Sequence, residues 1–306
     1  MRDNYLYFIK NPRFILLGFV YRLAPHIPDV IYLKLVFLLF FGRRLNLRNP
    51  KYFNEKLQWL KLYNRKPVYS LLVDKYEVKG YVANIIGEKH VIPTLGVWES
   101  FEDIDFDILP NKFVLKTTHG GGGGGVVICR DKERFDKASA KSKIKGSLLD
   151  DCFTKTREWP YKNVPHRIIA EKLLENKPGE EDDLPDYKWY CFGGEPKYCQ
   201  VIQDRSKSQT IDFFDTNWKH LEFIGLSPTA KNAVTPPIQP VSLEKQIMIA
   251  KELSNGIPFS RIDLYEVGGE VFFGEITLFP ASGFGEFYPH KYNAVLGDMI
   301  TLPHCD

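Results

Sequence analysis

The segment Phe113–His119 reads Phe-Val-Leu-Lys-Thr-Thr-His, and it is followed by six glycines, Gly120–Gly125, and by the apolar run Val126–Ile128. This pattern predicts a short buried strand, a loop without side chains and a second strand. Glycine accepts positive φ angles and has no Cβ atom, so backbone N–H groups in such a loop can approach an anion closely. Lys116 stands near the end of the first strand, within reach of the same anion. We interpret the segment as a flexible lid over nucleotide phosphates rather than as a linker, because linkers lie in polar surroundings.

The order of residues in this segment differs from the two commonest glycine-rich nucleotide motifs. A Walker loop ends in Gly-Lys-Ser/Thr and opens a helix, whereas here the lysine precedes the glycines. A dinucleotide-binding fingerprint places its glycines between a strand and a helix, whereas Val126–Ile128 favours a strand. A glycine loop between two strands is typical of a lid over ATP, as in protein kinases, but the kinase catalytic signatures are absent from this sequence.

Composition narrows the class of protein. The chain has 306 residues, of which 44% are hydrophobic and 26% charged, as in ordinary soluble globular proteins. Its length allows one large domain or two modest ones. A net charge of +3 and the lack of zinc-finger or RNA-binding signatures give no support for a nucleic-acid partner. The five cysteines form no Cys-x-x-Cys pair, which indicates reduced thiols in a cytoplasmic protein.

Residues 1–45 are rich in aromatic and basic side chains. Tyr5–Leu23 mixes both types, and Ile31–Phe41 is strongly apolar except for Lys34. The apolar run is too short to cross a membrane as a helix. Two interpretations remain open: these helices cover the body of the protein or a partner subunit, or they contact the inner face of a membrane as interfacial helices.

The remaining pattern predicts an α+β fold with largely antiparallel sheets. Asn54 is expected to cap a helix that continues to Leu62, and another helix is expected to begin at Asp74. The pairs Gly193-Gly194 and Gly268-Gly269 separate strand-like runs and predict hairpin turns. The runs interpreted as strands are Phe113–Lys116, Val126–Cys129, Ile168–Leu174, Lys188–Phe192, Tyr198–Asp204, Thr210–Phe214, Ser260–Tyr265 and Val271–Ile276, with further helices at Ala138–Cys152 and Leu243–Leu253.

We divide the chain into four parts. Residues 1–50 form the N-terminal helical arm, and residues 51–110 form a helical region with a short strand. Residues 111–175 form a subdomain with the glycine loop, and residues 176–306 form a C-terminal subdomain.

The C-terminal hairpin carries a candidate metal site. Because alternate residues of a strand share one face, Arg261, Asp263 and Tyr265 point to one side. Glu275 and Thr277 lie together on the neighbouring strand. If the hairpin pairs the two sets, two carboxylates and a hydroxyl converge beside an arginine, and carboxylate oxygens completed by water and phosphates are how proteins hold Mg²⁺. The alternative is an ion pair on a solvated sheet face.

Two further segments offer polar groups at strand ends. The run Arg167–Glu175 combines an apolar strand with Glu171 and Lys172, and its backbone suits the edge of an adenine ring. Asp186 and Lys188 share one face of the next strand. Taken singly, such charges are also typical of solvated surfaces.

In combination, the order of these motifs resembles the ATP-grasp superfamily, and more closely the TupA-like ATP-grasp group of bacterial teichuronopeptide, capsule and O-antigen gene clusters. The superfamily order is Asp74-Lys75, Lys116 with the glycine loop, Glu171–Leu174, Asp186–Lys188, Arg205, Arg261–Asp263 and Glu275–Thr277. The phrases that carry the closer resemblance are Phe53–Leu60, Asp74–Tyr76, Phe113–Lys116, Glu158–Tyr161, Asp186–Lys188, Arg261–Tyr265 and Phe273–Gly283.

The resemblance implies that two α+β subdomains grip ATP between antiparallel sheets, with magnesium as the metal. Cationic groups would contact the phosphates and transferring phosphoryl group, polar groups would meet adenine and ribose, and oxygen ligands would hold the metal. The implied catalytic residues are Lys188, Arg205 and Arg261. The implied ATP-binding residues are Lys75, Lys116, His119, Gly120, Gly121, Gly122, Gly123, Glu171, Lys172, Leu173, Leu174, Asp186 and Lys188, and the implied metal ligands are Asp263, Glu275 and Thr277, the last in a position that is often asparagine.

The implied activity is an ATP-dependent carboxylate–amine ligase that passes through an acyl phosphate. Its substrates would be a small or lipid-linked sugar acid and an amine or amino acid, in surface-polysaccharide assembly. Two other functions remain open from the sequence. One is a nucleotide-sugar glycosyltransferase, for which Asp103–Asp107 offers an Asp-x-Asp spelling, and the other is a non-catalytic ATP-binding scaffold.

Overall fold

The protein is represented by a computed structural model, which describes residues 12–121, 124–176, 183–203, 209–226 and 231–304. In these ranges helices alternate with strands. The helices are α1 (Pro12–Leu23), α2 (Asp29–Phe41), α3 (Phe53–Tyr63), α4 (Val68–Val73), α5 (Glu77–Ile86), α6 (Lys137–Leu148), α7 (Cys152–Thr156), α8 (Leu243–Ser254) and α9 (Lys291–Asp298). The strands are β1 (Thr94–Trp98), β2 (Phe113–Thr117), β3 (Val126–Cys129), β4 (Ile168–Lys172), β5 (Asp186–Phe192), β6 (Glu195–Gln203), β7 (Thr210–Asp215), β8 (His220–Leu221), β9 (Ile224–Gly225), β10 (Phe259–Val267), β11 (Glu270–Thr277) and β12 (Phe287–Tyr288).

The strands form two main antiparallel sheets, which confirms the predicted α+β class. The smaller sheet has the order β1-β4-β2-β3 and contains both strands that flank the glycine loop. The larger sheet has the order β11-β10-β5-β6-β7-β8, and β9 pairs separately with β12. The glycine pairs at 193–194 and 268–269 form the two predicted hairpin turns, and all four residues have positive φ. The division into four parts stays a prediction.

Strand β5 lies at the centre of the larger sheet and is buried along its whole length. On one face the Trp189 Nε1–H donates a hydrogen bond of 3.0 Å to Gln246 on α8. On the other face Tyr190 packs against aromatic rings, with its centroid 6.2 Å from that of Phe287. This second face also carries Lys188 and Asp186, so it changes from an apolar core to a polar surface along the strand.

Helix α3 covers the apolar end of that face. Phe53 makes edge-on contacts with Phe259 and Phe287, at centroid distances of 5.0 and 5.3 Å. The prediction that Asn54 caps this helix is wrong. The helix begins at Phe53, so Tyr52 and not Asn54 precedes its first turn. The Glu55 carboxylate accepts hydrogen bonds from the Lys51 and Tyr52 N–H groups just before the helix, while the Asn54 side chain is buried and accepts a hydrogen bond from Arg43.

The prediction of one helix over Ala138–Cys152 is also wrong, because the structure has two. Helix α6 ends at Leu148, and α7 begins at Cys152 with the Asp151 carboxylate accepting a hydrogen bond of 2.9 Å from the Thr154 N–H. An aspartate at this place satisfies the first turn of a new helix, so it favours a break over continuation.

The N-terminal arm is fixed to the body by one face of its helices. Tyr32 and Phe37 on α2 are fully buried, and the Arg157 guanidinium lies 4.2 Å from the centre of the Tyr32 ring. An ion pair of 2.8 Å joins Arg43 to Glu55 on α3. The first part of Tyr5–Leu23 lies outside the described residues. Within the described ranges, no helix has both the length and the hydropathy required to cross a bilayer.

Candidate nucleotide and metal site

The acidic pair lies at the polar end of the larger sheet. In the β10–β11 ladder Asp263 is directly opposite Glu275, and Arg261 is opposite Thr277. On the other side of β10, Asp263 is opposite Lys188 of β5. The structure therefore brings together the four residues that the hairpin pattern placed near each other, and it adds Lys188 from the neighbouring strand.

Hydrogen bonds link these five side chains. The Arg261 Nε–H donates to an Asp263 carboxylate oxygen at 2.6 Å, and its Nη2 donates to the Thr277 hydroxyl at 3.0 Å. The Thr277 hydroxyl donates to Glu275 at 3.2 Å. The Lys188 ammonium contacts Asp263 directly and lies 3.9 Å from Asp186. The arrangement includes the ion pair of the alternative interpretation, but it is half-buried and not on a solvated face.

The two carboxylates differ in their environment. Burial raises the pKa of Asp263, against the opposing effect of Arg261 and Lys188. Burial also acts to raise the pKa of Glu275, but the positive charges of Lys75, Lys188 and Arg261 outweigh it and hold this pKa at about 2. The Glu275 side chain is 38% exposed, whereas that of Asp263 is 3% exposed. Glu275 is thus an ionised carboxylate that faces open space.

A second charged cluster belongs to the smaller sheet. The Glu171 carboxylate at the end of β4 forms ion pairs with Lys116 of β2 at 2.5 Å and with Lys79 of α5 at 2.6 Å. Burial acts to raise the pKa of Glu171, but the two lysines outweigh burial and lower it. Glu171 is therefore an ionised group that aligns two ammonium groups beside the glycine loop.

Lys75 connects the two clusters. Its ammonium donates a hydrogen bond of 2.5 Å to the Gly120 carbonyl at the start of the glycine loop. Burial lowers the pKa of Lys75, the charge of Glu275 opposes this, and Lys116 lowers the pKa further. Because the charges of Glu275 on one sheet and of Lys116 and Glu171 on the other all act on this ammonium, Lys75 lies near both clusters.

The chain between the sheets holds them next to each other. Val91, just before β1, forms an isolated parallel bridge with Phe273 of β11. The His90 ring lies beside it, with Nδ1 2.7 Å from the Val271 carbonyl oxygen. These contacts bring the edge of the smaller sheet against β11, the strand that carries Glu275.

The glycine loop is restricted at its ends. Gly120 has a φ of +77°. A Cβ atom on Gly125 would lie 2.2 Å from the Thr117 hydroxyl oxygen and 2.3 Å from that of Ser147, whereas one on Gly121 would meet nothing within 4 Å. The close approach of β2, β3 and α6 thus requires glycine at position 125. Gly122 and Gly123 lie outside the described residues.

His119 contacts α6. Its Nε2 lies 3.0 Å from the Ser147 carbonyl oxygen, and its ring stacks on that of His166 with centroids 3.5 Å apart. Burial lowers the pKa of His119, and His166 lowers it further. The ring is 3% exposed, so in this conformation it attaches the strand end to α6.

The other ATP-binding candidates lie around these clusters. Asp186 is buried beside Lys188. Lys172 is exposed at the end of β4, and Leu173 and Leu174 follow it half-buried. Arg205 lies outside the described residues. The assigned contacts with ATP and metal stay predictions for all of these residues.

The sequence analysis missed two features. Lys79 shares Glu171 with Lys116, and its spacing of four residues from Lys75 was the available signal. The second is a buried network that was given no role: the Lys61 ammonium donates to the Ser282 carbonyl at 2.7 Å, and the Ser282 hydroxyl donates to Glu158 at 2.6 Å. Ser282 has a φ of +51° in the turn that follows β11, so this network holds a strained turn close to the acidic pair.

The Asp-x-Asp pattern at Asp103–Asp107 has a local structural role. The Asp103 carboxylate accepts a hydrogen bond of 2.8 Å from the Ser100 hydroxyl, and Asp105 accepts one of 2.9 Å from the Asp107 N–H. These side chains order their own exposed loop, which gives no support to the glycosyltransferase alternative.

The profile of the family described as TupA-like ATPgrasp matches residues 55–301. The chain belongs to this ATP-grasp family. The resemblance inferred from the motifs is thereby confirmed, and the antiparallel α+β architecture is the ATP-grasp fold. A search among curated proteins found no significant match.

Solved structures that are similar to the chain include the D-alanine–D-alanine ligase from Bacillus anthracis, with 18% identity and a TM-score of 0.42 over 75% of this chain and 66% of that one. The corresponding ligase from Helicobacter pylori has 14% identity and a TM-score of 0.43 over 82% and 69%. The ATP-grasp ligase PsnB, complexed with minimal precursor, Mg and ADP, has 13% identity and a TM-score of 0.37 over 74% and 57%. The chain thus spans about two thirds of the length of the first of these proteins.

The oxygen atoms of this ATP-grasp chain fit a magnesium ion that is shared with a nucleotide. Asp263 and Glu275 present carboxylates from facing strand positions, and Thr277 adds a hydroxyl. Within the described ranges, no group of three or more His, Cys, Asp or Glu side chains is arranged to hold a metal by itself. Magnesium is commonly held by one or two carboxylates with phosphates and water as the other ligands, so two suffice here.

Proposed function

We propose that the protein is an ATP-dependent carboxylate–amine ligase. The observation that carries the proposal is the proximity of two charged clusters: the ionised Glu275 with Asp263 on the larger sheet, and Lys116 of β2 with Lys79 of α5, both paired with Glu171. Lys75 lies near both clusters and responds to charges from both. Carboxylates can bind a magnesium ion, and ammonium groups can bind phosphates. A site that contains both suits magnesium bound to a nucleotide better than it suits a free magnesium ion or a free nucleotide.

In this proposal the lysines bind the nucleotide phosphates. Lys116 and Lys79 are held by Glu171, and Lys75 is held by the Gly120 carbonyl, so three ammonium groups are positioned before the substrate arrives. Preorganised charges stabilise a transition state without the cost of rearrangement. Backbone N–H groups of the glycine loop would add further contacts with phosphate.

The chemical step needs positive charge near the acceptor. An acceptor carboxylate oxygen attacks the γ-phosphorus of ATP, the bond to the β-phosphate oxygen breaks, and ADP leaves. In this proposal Arg261 and Lys188 neutralise the two anions that approach each other, and their positions beside Asp263 support this role. Magnesium, bound through Asp263 and Glu275, would supply further charge neutralisation at the phosphates.

The second step forms the amide. The nitrogen of an amine attacks the carbonyl carbon of the acyl phosphate, phosphate leaves, and the amine proton passes to solvent or to the departing phosphate. Acyl phosphates hydrolyse readily, so a lid that excludes water is required. We assign that role to the glycine-rich segment, and the hydrogen bond between the Gly120 carbonyl and Lys75 supports this assignment.

The proposed substrate class rests on the resemblance to the TupA-like group of surface-polysaccharide gene clusters. We propose that the carboxylate belongs to a sugar acid, free or lipid-linked, and that the amine is an amino acid or another small amine. The product would then be an amide-modified glycan of the bacterial surface, made on the cytoplasmic side of the membrane.

The test is ADP and phosphate release by purified protein with ATP, magnesium and a panel of uronic acids and amines. We expect release only when both the acid and the amine are present. Hydroxylamine in place of the amine should trap the acyl phosphate as a hydroxamate of the active acid. Absence of ADP across the panel would count against a ligase, and binding of UDP-sugars without binding of ATP would favour a glycosyltransferase.

A further inference from the structure

The outer face of the N-terminal arm is unusually apolar. Ten of the 24 large hydrophobic side chains that are exposed in the described residues lie between positions 15 and 40. On α1 they include Phe19 at 58% exposure and Leu16 at 56%, and on α2 they include Ile31 at 53%. We call this set the arm surface; it comprises Ile15, Leu16, Phe19, Tyr21, Leu23, Val30, Ile31, Leu35, Leu38 and Phe40.

The exposed charged residues within positions 12–48 are basic. Arg22 lies three residues after Phe19, and Lys34 lies three residues after Ile31, so each basic residue falls within an apolar stripe of its helix. Arg13, Arg44 and Arg48 are also exposed. Asp29 is the one acidic residue in the sequence of residues 12–48, and it forms ion pairs with Arg65 and Arg157.

The arm surface is held in place by the rest of the protein. The opposite side of α2 contributes Tyr32, Leu33 and Phe37 to a buried core. The Tyr32 hydroxyl donates a hydrogen bond of 2.6 Å to the Lys155 carbonyl. These contacts fix the orientation of α2 on the body of the protein, and the apolar side chains on its other side therefore face outward.

Apolar stripes that contain lysine and arginine fit the surface of an anionic bilayer. The aliphatic and aromatic groups enter the interface, while the basic side chains extend toward the lipid phosphates. Helices of 12 and 13 residues span about 20 Å at 1.5 Å per residue, short of the roughly 30 Å of a hydrocarbon core. We propose that the arm surface binds the surface of an anionic phospholipid membrane and holds the enzyme body against it.

The experiment is sedimentation of the purified full chain with vesicles, without ATP or substrates. We expect binding to vesicles of phosphatidylglycerol mixed with phosphatidylcholine, and much weaker binding to phosphatidylcholine alone. The triple variant Arg22→Gln, Lys34→Gln, Arg44→Gln should bind about fivefold more weakly per removed charge, on the order of a hundredfold in total. Because ligase turnover is not measured, failure of this proposal is distinguishable from failure of the proposed activity.

Matched variants separate lipid binding from general charge and stability effects. Lys89→Gln, Lys197→Gln, Lys219→Gln removes the same charge from exposed positions on the body and should bind vesicles like the wild type. The double variant Phe19→Ser, Leu38→Ser should lose vesicle binding. The control Ile108→Ser, Met248→Ser replaces two exposed apolar side chains outside the arm surface and should retain it. Equal binding to neutral and anionic vesicles would overturn the proposal. So would an arm-dependent dimer in sedimentation velocity that binds no vesicles.

Discussion

Replacement of Glu275 by glutamine separates the charge of this residue from its shape. The carboxylate lies 3.3 Å from the Arg261 guanidinium and accepts a hydrogen bond of 3.2 Å from Thr277. An amide oxygen can accept the same bonds, so Glu275→Gln leaves the local packing in place. What it removes is the negative charge that faces Lys75 and Lys188.

The expected loss of stability is small. A pKa lowered from 4.5 to about 2 corresponds to about 3 kcal/mol of unfolding free energy for a fully enclosed group. Because the side chain is 38% exposed, screening by solvent reduces this contribution to roughly 1 kcal/mol. Glu275→Gln should therefore remain folded at room temperature.

The expected loss of activity is large. Removal of one preorganised charged or polar group from a site of phosphoryl or acyl transfer costs roughly 3 kcal/mol in the transition state, or on the order of a hundredfold in kcat. The loss of activity has to be compared with the loss of stability in the same variant. If Glu275 had a structural role alone, the variant would lose activity only in proportion to its unfolded fraction.

The assay combines ADP release with urea unfolding of the same preparation. The control is Glu270→Gln, which makes the same chemical change at an exposed position on the same strand, far along β11 from the acidic pair. Wild-type turnover by Glu275→Gln would refute the metal-site interpretation. A loss of several kcal/mol of stability, matched by the loss of activity, would refute the distinction between the two roles.

Three further predictions concern the surroundings of the site. Gly125→Ala should raise the KM for ATP by an order of magnitude or more, because its Cβ would collide with the hydroxyl groups of Thr117 and Ser147. A Cβ at position 121 meets no atom within 4 Å, so Gly121→Ala should bind ATP normally in the same titration. Lys61→Met should lower the free energy of unfolding in urea by about 3 kcal/mol, because it leaves the buried Glu158 carboxylate without its neighbouring cation. The double variant with Glu158→Gln should recover part of this loss, and additive costs would contradict the coupling. The ionised Glu275 carboxylate stabilises the fold above its unfolded-state pKa of 4.5, because its pKa in the folded state is lowered to about 2. This contribution to the free energy of unfolding disappears as the pH falls from 4.5 to about 2. The free energy of unfolding of Glu275→Gln should therefore vary less with pH in that window than that of the wild type.

Local patterns predicted the two hairpins and the pairing of their polar residues well. The alternation of polar and apolar residues around position 262 placed Arg261 and Asp263 on one face, and the Gly-Gly turn set them opposite Thr277 and Glu275. Both signals act over a few residues, because strand periodicity and tight turns depend on backbone geometry alone. The break between α6 and α7 was misjudged, since one aspartate cap outweighed a helical periodicity.

The motif order also identified the family, which the profile match over residues 55–301 confirms. What the sequence left open was the choice between competing partners for each charge. Arg261 was expected either to serve the site or to pair with its neighbours, and in the structure it pairs with Asp263 and Glu275 at a half-buried surface.

The sequence by itself determined eight of the twelve described strands, the two glycine-pair turns and the identity of the two facing carboxylates, because each depends on residues that are close in the chain. Only the tertiary structure decided that Lys75 lies near both charged clusters, that Lys79 and Lys116 share Glu171, and that Lys61 meets a turn more than 200 residues away. The reason is physical. A buried charge is stabilised by whichever opposite charge or carbonyl the packed fold brings within about 3 Å, and that distance is set by the folding of the whole chain.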